Sequence, residues 1–177
     1  MSQKRLTVFT PAYNREKLLK RLYDSLVNQT CRDFVWLIVD DGSTDNTREL
    51  IKNLKALNEI EIEYIYRENG GKMRAHNDGV KNTKTPFFLC VDSDDYLVSD
   101  AVETLLKVAD NNNLEKESGL AGIISHKGAS ENKLLSGVEF KKGIERSTLY
   151  NLYLNGFKGE TTIMFLTKVI AKYPFPE

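Results

Sequence analysis

The sequence predicts an α/β fold in which a mostly parallel sheet carries helices on both faces. Two observations predict it. Short apolar runs alternate with helix-length amphipathic segments over roughly the first 110 residues, the pattern of repeated strand–helix units. Clusters of Asp, Asn, Gly and Ser follow those runs directly, and sheets of this kind bind ligands at the carboxyl ends of their strands.

Residues 6–9 form the first β-prone run, ended by Thr10-Pro11. Asn14 is placed to cap a helix in which Leu18, Leu19, Leu22 and Leu26 share a face. Residues 34–39 are continuously apolar, as in a strand buried on both sides, and Asp40-Asp41-Gly42-Ser43 breaks the run. Leu50, Ile51, Leu54 and Leu57 mark a second helix. Residues 60–66 alternate as a strand, Asn69-Gly70-Gly71 is a loop, and 72–82 has helix length. Pro86 precedes another apolar run at 87–91, which Asp92-Ser93-Asp94-Asp95 interrupts. Ser99 has the chemistry of an N-cap for a helix carrying Val102, Leu105, Leu106 and Ala109. Beyond Asn111 the pattern loosens into a polar loop to Ser118, a strand at 120–125, a turn at 127–133, a short helix at 148–154 and a strand at 161–165.

A chain of 177 residues fits one domain with a sizeable core. Lys plus Arg and Asp plus Glu both count 25, so no net basic field invites nucleic acid, and an anionic ligand must be met by a local site. Cys31 and Cys90, with no histidine cluster, make neither a disulfide framework nor a zinc set. No run approaches the roughly 20 apolar residues of a membrane span, and the first five residues lack the form of a signal peptide. The expected location is the cytoplasm, with attachment at the inner face of a membrane through sequence outside this chain left open.

Four clusters carry chemistry. Asp92-Ser93-Asp94-Asp95 gathers three carboxylates after an apolar run; their mutual repulsion is relieved by a cation, and oxygen ligands suit Mg²⁺ or Mn²⁺. A solvated acidic turn before the next helix is the plain alternative. Asp40 and Asp41 offer acceptors for a base or ribose, although Asp-Gly-Ser-Thr is also ordinary turn vocabulary. Thr10-Pro11-Ala12-Tyr13-Asn14-Arg15 supplies an aromatic face for a planar ring, or simply a rigid turn. Asn69-Gly70-Gly71-Lys72 opens a helix whose N-terminal amides favour anions, with Lys72 and Arg74 adding charge. His76 reads as a packed or surface histidine. The place of the acidic cluster at the end of a buried strand favours the metal reading, and the other three are ordinary singly; together, in this order along one sheet, they make the inventory of a nucleotide site.

The Thr10 to Arg15 stretch, Val39-Asp40-Asp41-Gly42-Ser43-Thr44-Asp45, the Gly70-Gly71-Lys72 loop with Arg74 and Asn77, and Asp92-Ser93-Asp94-Asp95 closely resemble the family 2 glycosyltransferases. The resemblance implies a GT-A fold, a Rossmann-like α/β sandwich. It implies a nucleotide-sugar donor, commonly a UDP-sugar, and transfer to an acceptor hydroxyl with inversion, with surface polysaccharide synthesis the typical role. It assigns Pro11, Ala12, Tyr13, Asn14, Arg15, Asp40, Asp41, Gly71, Lys72, Arg74, Asn77, Asp92 and Ser93 to donor binding. Asp94, with Asp92 and Asp95, is assigned to a divalent cation, Mn²⁺ or Mg²⁺. The acceptor is expected to be a saccharide or a lipid-linked saccharide.

The family's carboxylate base lies late in its domain. Gly159-Glu160 resembles an element that shapes the sugar site, which makes Glu160 a candidate base within the chain. Tyr173-Pro174-Phe175-Pro176-Glu177 resembles a segment that continues further, so the base is expected beyond Glu177. On this reading residues 1–177 are one truncated domain, with a nucleotide-sugar half at 1–110 and the start of the acceptor half at 111–177. The chain is then a donor-binding fragment first and a catalyst second. A haloacid-dehalogenase-type phosphatase would use Asp92 and Asp94, but Tyr96 departs from that pattern and three clusters go unexplained. A sugar-1-phosphate nucleotidyltransferase would need a Gly-rich loop after the first strand, and a dinucleotide dehydrogenase a Gly-x-Gly-x-x-Gly.

Overall fold

A computed structural model describes residues 4–117, 119–130, 133–135, 146–157 and 159–176. The elements in chain order are β1 (Leu6–Ala12), α1 (Leu19–Val27), β2 (Phe34–Asp40), α2 (Thr47–Ala56), β3 (Ile62–Tyr66), α3 (Lys72–Asn82), β4 (Phe87–Cys90) and α4 (Ala101–Asn111), then β5 (Gly122–His126), β6 (Gly128–Ser130), β7 (Lys133–Leu134), α5 (Leu149–Leu154), β8 (Thr161–Leu166) and α6 (Thr167–Ile170). A six-stranded sheet runs β3-β2-β1-β4-β8-β5, and β6 pairs with β7. The β1–β2, β1–β4 and β2–β3 pairs are parallel, while β8 lies antiparallel to β4. The chain divides into two compact units, Met1–Ile123 with Met164–Glu177, and Ile124–Ile163.

In the first unit, strand alternation sorts the core into two faces. Leu6 and Val8 of β1 and Phe34, Trp36 and Ile38 of β2 pack with α1, α2 and α4, through Leu19, Leu22, Leu26, Ile51, Leu54, Val102 and Leu106. Phe9, Leu37, Val39 and Phe88 turn the other way, onto Ala75 of α3. The parallel sheet with helices on both faces is therefore as the apolar runs predict. Trp36 is fully buried, and its indole N–H donates to Thr10 Oγ1 at 3.0 Å, which removes the cost of an unpaired polar group.

Gly79 lets α3 lie against the sheet. A β-carbon there would stand 2.4 Å from Phe9 Cε2, and that ring is fully buried and stacked on Phe88 at 5.2 Å between centroids. Gly79→Ala is expected to destabilise the fold by about 1–3 kcal/mol through overpacking. This exceeds the gain of about 1 kcal/mol from replacing a helical glycine. Urea unfolding measures the balance; a variant more stable than the parent means that the Phe9 ring moves aside.

Several element boundaries shift for identifiable reasons. β1 continues past Phe9 to Ala12, carrying Pro11 opposite Val39. Phe9 O accepts from Val91 N, and Ala12 O accepts from Asp41 N, so alternation turns the Pro11 nitrogen to the β4 side, beyond that strand's last residue. No ladder bond is lost there. Asn14 caps no helix: it has φ 53°, and α1 begins only at Leu19. Leu18 and Leu57 are exposed, because each falls just outside the helix it was expected to join. Asp100, not Ser99, holds the N-cap position of α4, and the buried Gln29 Oε1 accepts from Val102 N at 3.0 Å in place of a local cap. The turn expected at 127–133 contains the two short strands β6 and β7.

Candidate active site

β1, β2 and β4 run parallel, so the segments at their carboxyl ends share one edge of the sheet. Thr10-Pro11-Ala12 closes β1, and Tyr13-Asn14-Arg15 follows it. Its Asn14 Oδ1 accepts from Thr44 N at 2.8 Å and Asp45 N at 3.3 Å. Asn14 N donates to Ser43 Oγ, and Arg15 N to Thr47 Oγ1 at 2.8 Å. Asn14 thus joins the first loop to the second, and its left-handed backbone, tolerated by asparagine, aims the amide there.

Asp40 and Asp41 divide their labour. Asp40 is fully buried, with Oδ1 accepting from Ser43 N at 2.8 Å and Oδ2 from the Tyr64 hydroxyl at 2.7 Å. Burial first, then the neighbouring Asp40 carboxylate, pushes that phenol up to about 12, so it stays a donor. Asp41 joins the second loop to the third: Oδ1 accepts from Gly70 N at 3.0 Å and Oδ2 from Gly71 N at 2.7 Å. Gly42, at φ 82°, admits this approach, since a β-carbon there would stand 2.7 Å from Asn69 N.

The remaining links close a ring. Lys72 Nζ donates to Asp92 Oδ1 at 2.7 Å, from the third loop to the fourth. Arg15 Nε donates to Ser93 Oγ at 3.0 Å, from the first to the fourth. Within the ring lies a cavity of ≈ 230 Å³. Pro11, Ala12, Tyr13, Arg15, Asp41, Lys72, Asp92, Ser93 and Asp94 line it, together with Ala75, which the sequence did not single out.

The other expected site residues lie behind this lining. Asn14 and Asp40 brace the loops, and Gly71 donates to Asp41. Arg74 packs on Gly70, where a β-carbon would meet its Cδ at 3.0 Å. Asn77 exchanges two hydrogen bonds with the backbone of Phe175, both at 2.9 Å. Asp95 is not among the lining residues; its amide donates to Asp92 O at 3.0 Å. His76 packs against Phe9, Phe88 and Phe175, and burial, then the Lys72 charge, holds its pKa below the usual histidine range. Glu160 is exposed and belongs to the second unit, and Glu177 lies outside the described residues. Two contributors escaped the sequence reading. Arg21 of α1 donates to the Asp94 carbonyl, and Arg67 reaches Asp41. Arg21 sits on a helix face and Arg67 two residues before the glycine loop, and neither belongs to a motif that marks it.

Residues 7–170 match the profile of glycosyl transferase family 2. The chain belongs to that family. It is 39% identical over 103 residues to glycosyltransferase GlyA of Streptococcus pneumoniae, covering 58% of this chain and 15% of GlyA. It is 30% identical over 146 residues to the GalNAc(5)-diNAcBac-PP-undecaprenol β-1,3-glucosyltransferase of Campylobacter jejuni, covering 77% of this chain and 47% of that protein. The chain thus spans less than half the length of either relative. The structure of S. aureus TarS 1–349 in complex with UDP superposes with a TM-score of 0.73 at 24% identity, over 97% of this chain and 50% of TarS 1–349. At that identity the likeness establishes the fold, which is GT-A. The phosphatase alternative, which used Asp92 and Asp94 alone, leaves unexplained the three other clusters that this family's site gathers with them. No helix among the described residues is long and apolar enough to cross a membrane.

Proposed function

We propose that this chain binds a UDP-sugar and serves metal-dependent, inverting transfer of its sugar to an acceptor hydroxyl, in the synthesis of a surface polysaccharide. The observation that carries this reading is the closed ring of four loops around one cavity. An aromatic wall, a buried carboxylate, two cationic side chains and two further carboxylates meet there.

In this reading the base stacks on Tyr13, which is 45% exposed, beside Pro11 and Ala12. Asp41 accepts a hydrogen bond from a ring N–H, and Asp92 takes the ribose side. Lys72 has a 64% exposed side chain and a flexible stem, so it can exchange Asp92 for a diphosphate oxygen. The amides opening α3 favour the same anion.

The donor set fits a divalent ion, Mn²⁺ or Mg²⁺. Asp92 and Asp94 offer hard carboxylate oxygens at the cavity wall. Among the described residues no group of three or more His, Cys, Asp or Glu gathers for a metal, so substrate oxygens and water would complete the shell, as small hard cations favour. Such an ion, when bound, offsets charge on the departing diphosphate.

The acceptor hydroxyl attacks the anomeric carbon opposite the leaving group, which inverts that centre, and a carboxylate takes its proton. Asp41, Asp92 and Asp94 are the carboxylates lining the cavity among the described residues, and each has a donor-side task. The base therefore comes from another segment. The donor half is assigned to residues 1–110 and the opening of the acceptor half to 111–177. A lipid-linked acceptor, met in the cytoplasm at the inner face of a membrane, agrees with the undecaprenol-linked saccharide in the name of the C. jejuni relative.

Calorimetric titration of UDP into the folded chain, with and without Mn²⁺, tests the reading. Binding strengthened by Mn²⁺ about tenfold or more, or 1.4 kcal/mol, is expected. Absence of UDP binding in both conditions overturns it.

A further inference from the structure

We propose that Arg67 is the positioning residue for base recognition, holding the Asp41 carboxylate and the glycine loop in their receptive geometry. The proposal rests on the donor-site reading above and adds a residue to it. Arg67 directly follows β3, and its backbone N–H donates to Asp40 O at 3.0 Å, so its start is fixed by the sheet. Its side chain is 21% exposed and lies between two carboxylates. Nη1 stands 3.4 Å from Asp41 Oδ1, and Nε stands 3.2 Å from Asp78 Oδ2 on α3. Nη1 is buried and makes no hydrogen bond among the described residues, and Asp41 is the carboxylate it faces.

The same guanidinium shapes the loop above it. A β-carbon on Gly70 would stand 2.9 Å from Arg67 Nη2, so a side chain there would push the guanidinium from its place. Gly70 and Gly71 then present their amides to Asp41. A carboxylate has about four acceptor positions. The two amides occupy inner ones and the guanidinium stands beside Oδ1 as an unbonded charge, leaving the outer face of Asp41 toward the cavity it lines. The guanidinium sets one positive charge between the two carboxylates and holds both toward it. Arg67 touches neither the cavity nor the diphosphate region, where Lys72, Asp92 and Asp94 lie. Its influence should reach a ligand through the base alone.

The experiment compares UDP with inorganic pyrophosphate, both with Mn²⁺, on the parent chain, Arg67→Met and Asp78→Asn, each confirmed folded by circular dichroism. Arg67→Met is expected to weaken UDP by about tenfold or more while pyrophosphate changes by less than about twofold. Asp78→Asn, which frees the far end of the bridge, is expected to weaken UDP by about threefold and to add nothing once Arg67 is Met. Equal losses for UDP and pyrophosphate would show a general effect on the fold and overturn the proposal, as would unchanged UDP binding in Arg67→Met. If that variant does not fold, Asp78→Asn decides alone: unchanged UDP binding overturns the proposal. A parent chain that binds pyrophosphate but not UDP sinks the donor-site reading itself, a result separate from any behaviour of the variants.

Discussion

Asp41→Ala is expected to weaken UDP binding by about 100-fold, near 2.7 kcal/mol, the largest loss of any single substitution in the cavity. Three effects combine. The ligand loses an acceptor for its base, and a hydrogen bond to a charged group contributes about 1.5–3 kcal/mol. Gly70 N and Gly71 N lose their acceptor, so the third loop is no longer held against the second. Arg67 loses the better buried of its two carboxylates, since Asp41 is 5% exposed and Asp78 39%. Removing one partner of a buried ion pair costs about 3–5 kcal/mol of stability, so the titration belongs at low temperature with the fold verified by circular dichroism. Asp41→Asn should fall between parent and alanine variant, because its amide keeps one acceptor oxygen but turns an NH₂ toward a backbone donor. A folded Asp41→Ala that binds UDP within about threefold of the parent removes Asp41 from base recognition.

Asp94→Asn is expected to abolish the Mn²⁺-dependent part of UDP binding, a loss of about tenfold or more, and to leave metal-free UDP binding unchanged. The asymmetry follows from chemistry. A neutral amide is a poor ligand for a hard cation but fills the same space as the carboxylate. Asp95→Asn is the matched comparison: it removes a charge from the same acidic turn, at a residue that does not line the cavity. Isothermal titration of UDP at fixed Mn²⁺ reads both variants. Equal loss of the metal effect in the two would mean that the turn acts through its summed charge, with no particular ligand at Asp94.

Much of the fold was legible because it rests on periodicity. The continuous run at 34–39 reads as a strand with both faces covered, and Phe34, Trp36 and Ile38 do pack opposite Leu37 and Val39. The spacing of Leu19, Leu22 and Leu26 reads as one helix face, and those residues are fully buried. Boundaries were less legible because they depend on partners distant in sequence. Asn14 has the composition of a helix cap, yet its amide serves Thr44 and Asp45 on the next loop. Ser99 has the better capping side chain, yet Gln29, 73 positions from Val102, supplies the acceptor.

The site divides along the same line. By itself the sequence determined which chemical groups were available, their order, and the family to which the chain belongs, because turns after buried strands concentrate polar residues where a parallel sheet exposes them. The tertiary structure alone decided which of those groups face the cavity and which hold the others in place. Asp40 and Asp41 are adjacent and chemically identical, but strand alternation buries Asp40 against Tyr64 and turns Asp41 to the glycine loop and the cavity. Arg67 and Asp78 enter the account for the same reason: the place of Arg67 beside Asp41, and of Asp78 beside Arg67, comes from the pairing of β2 with β3 and the packing of α3 on the sheet, and no local pattern records either.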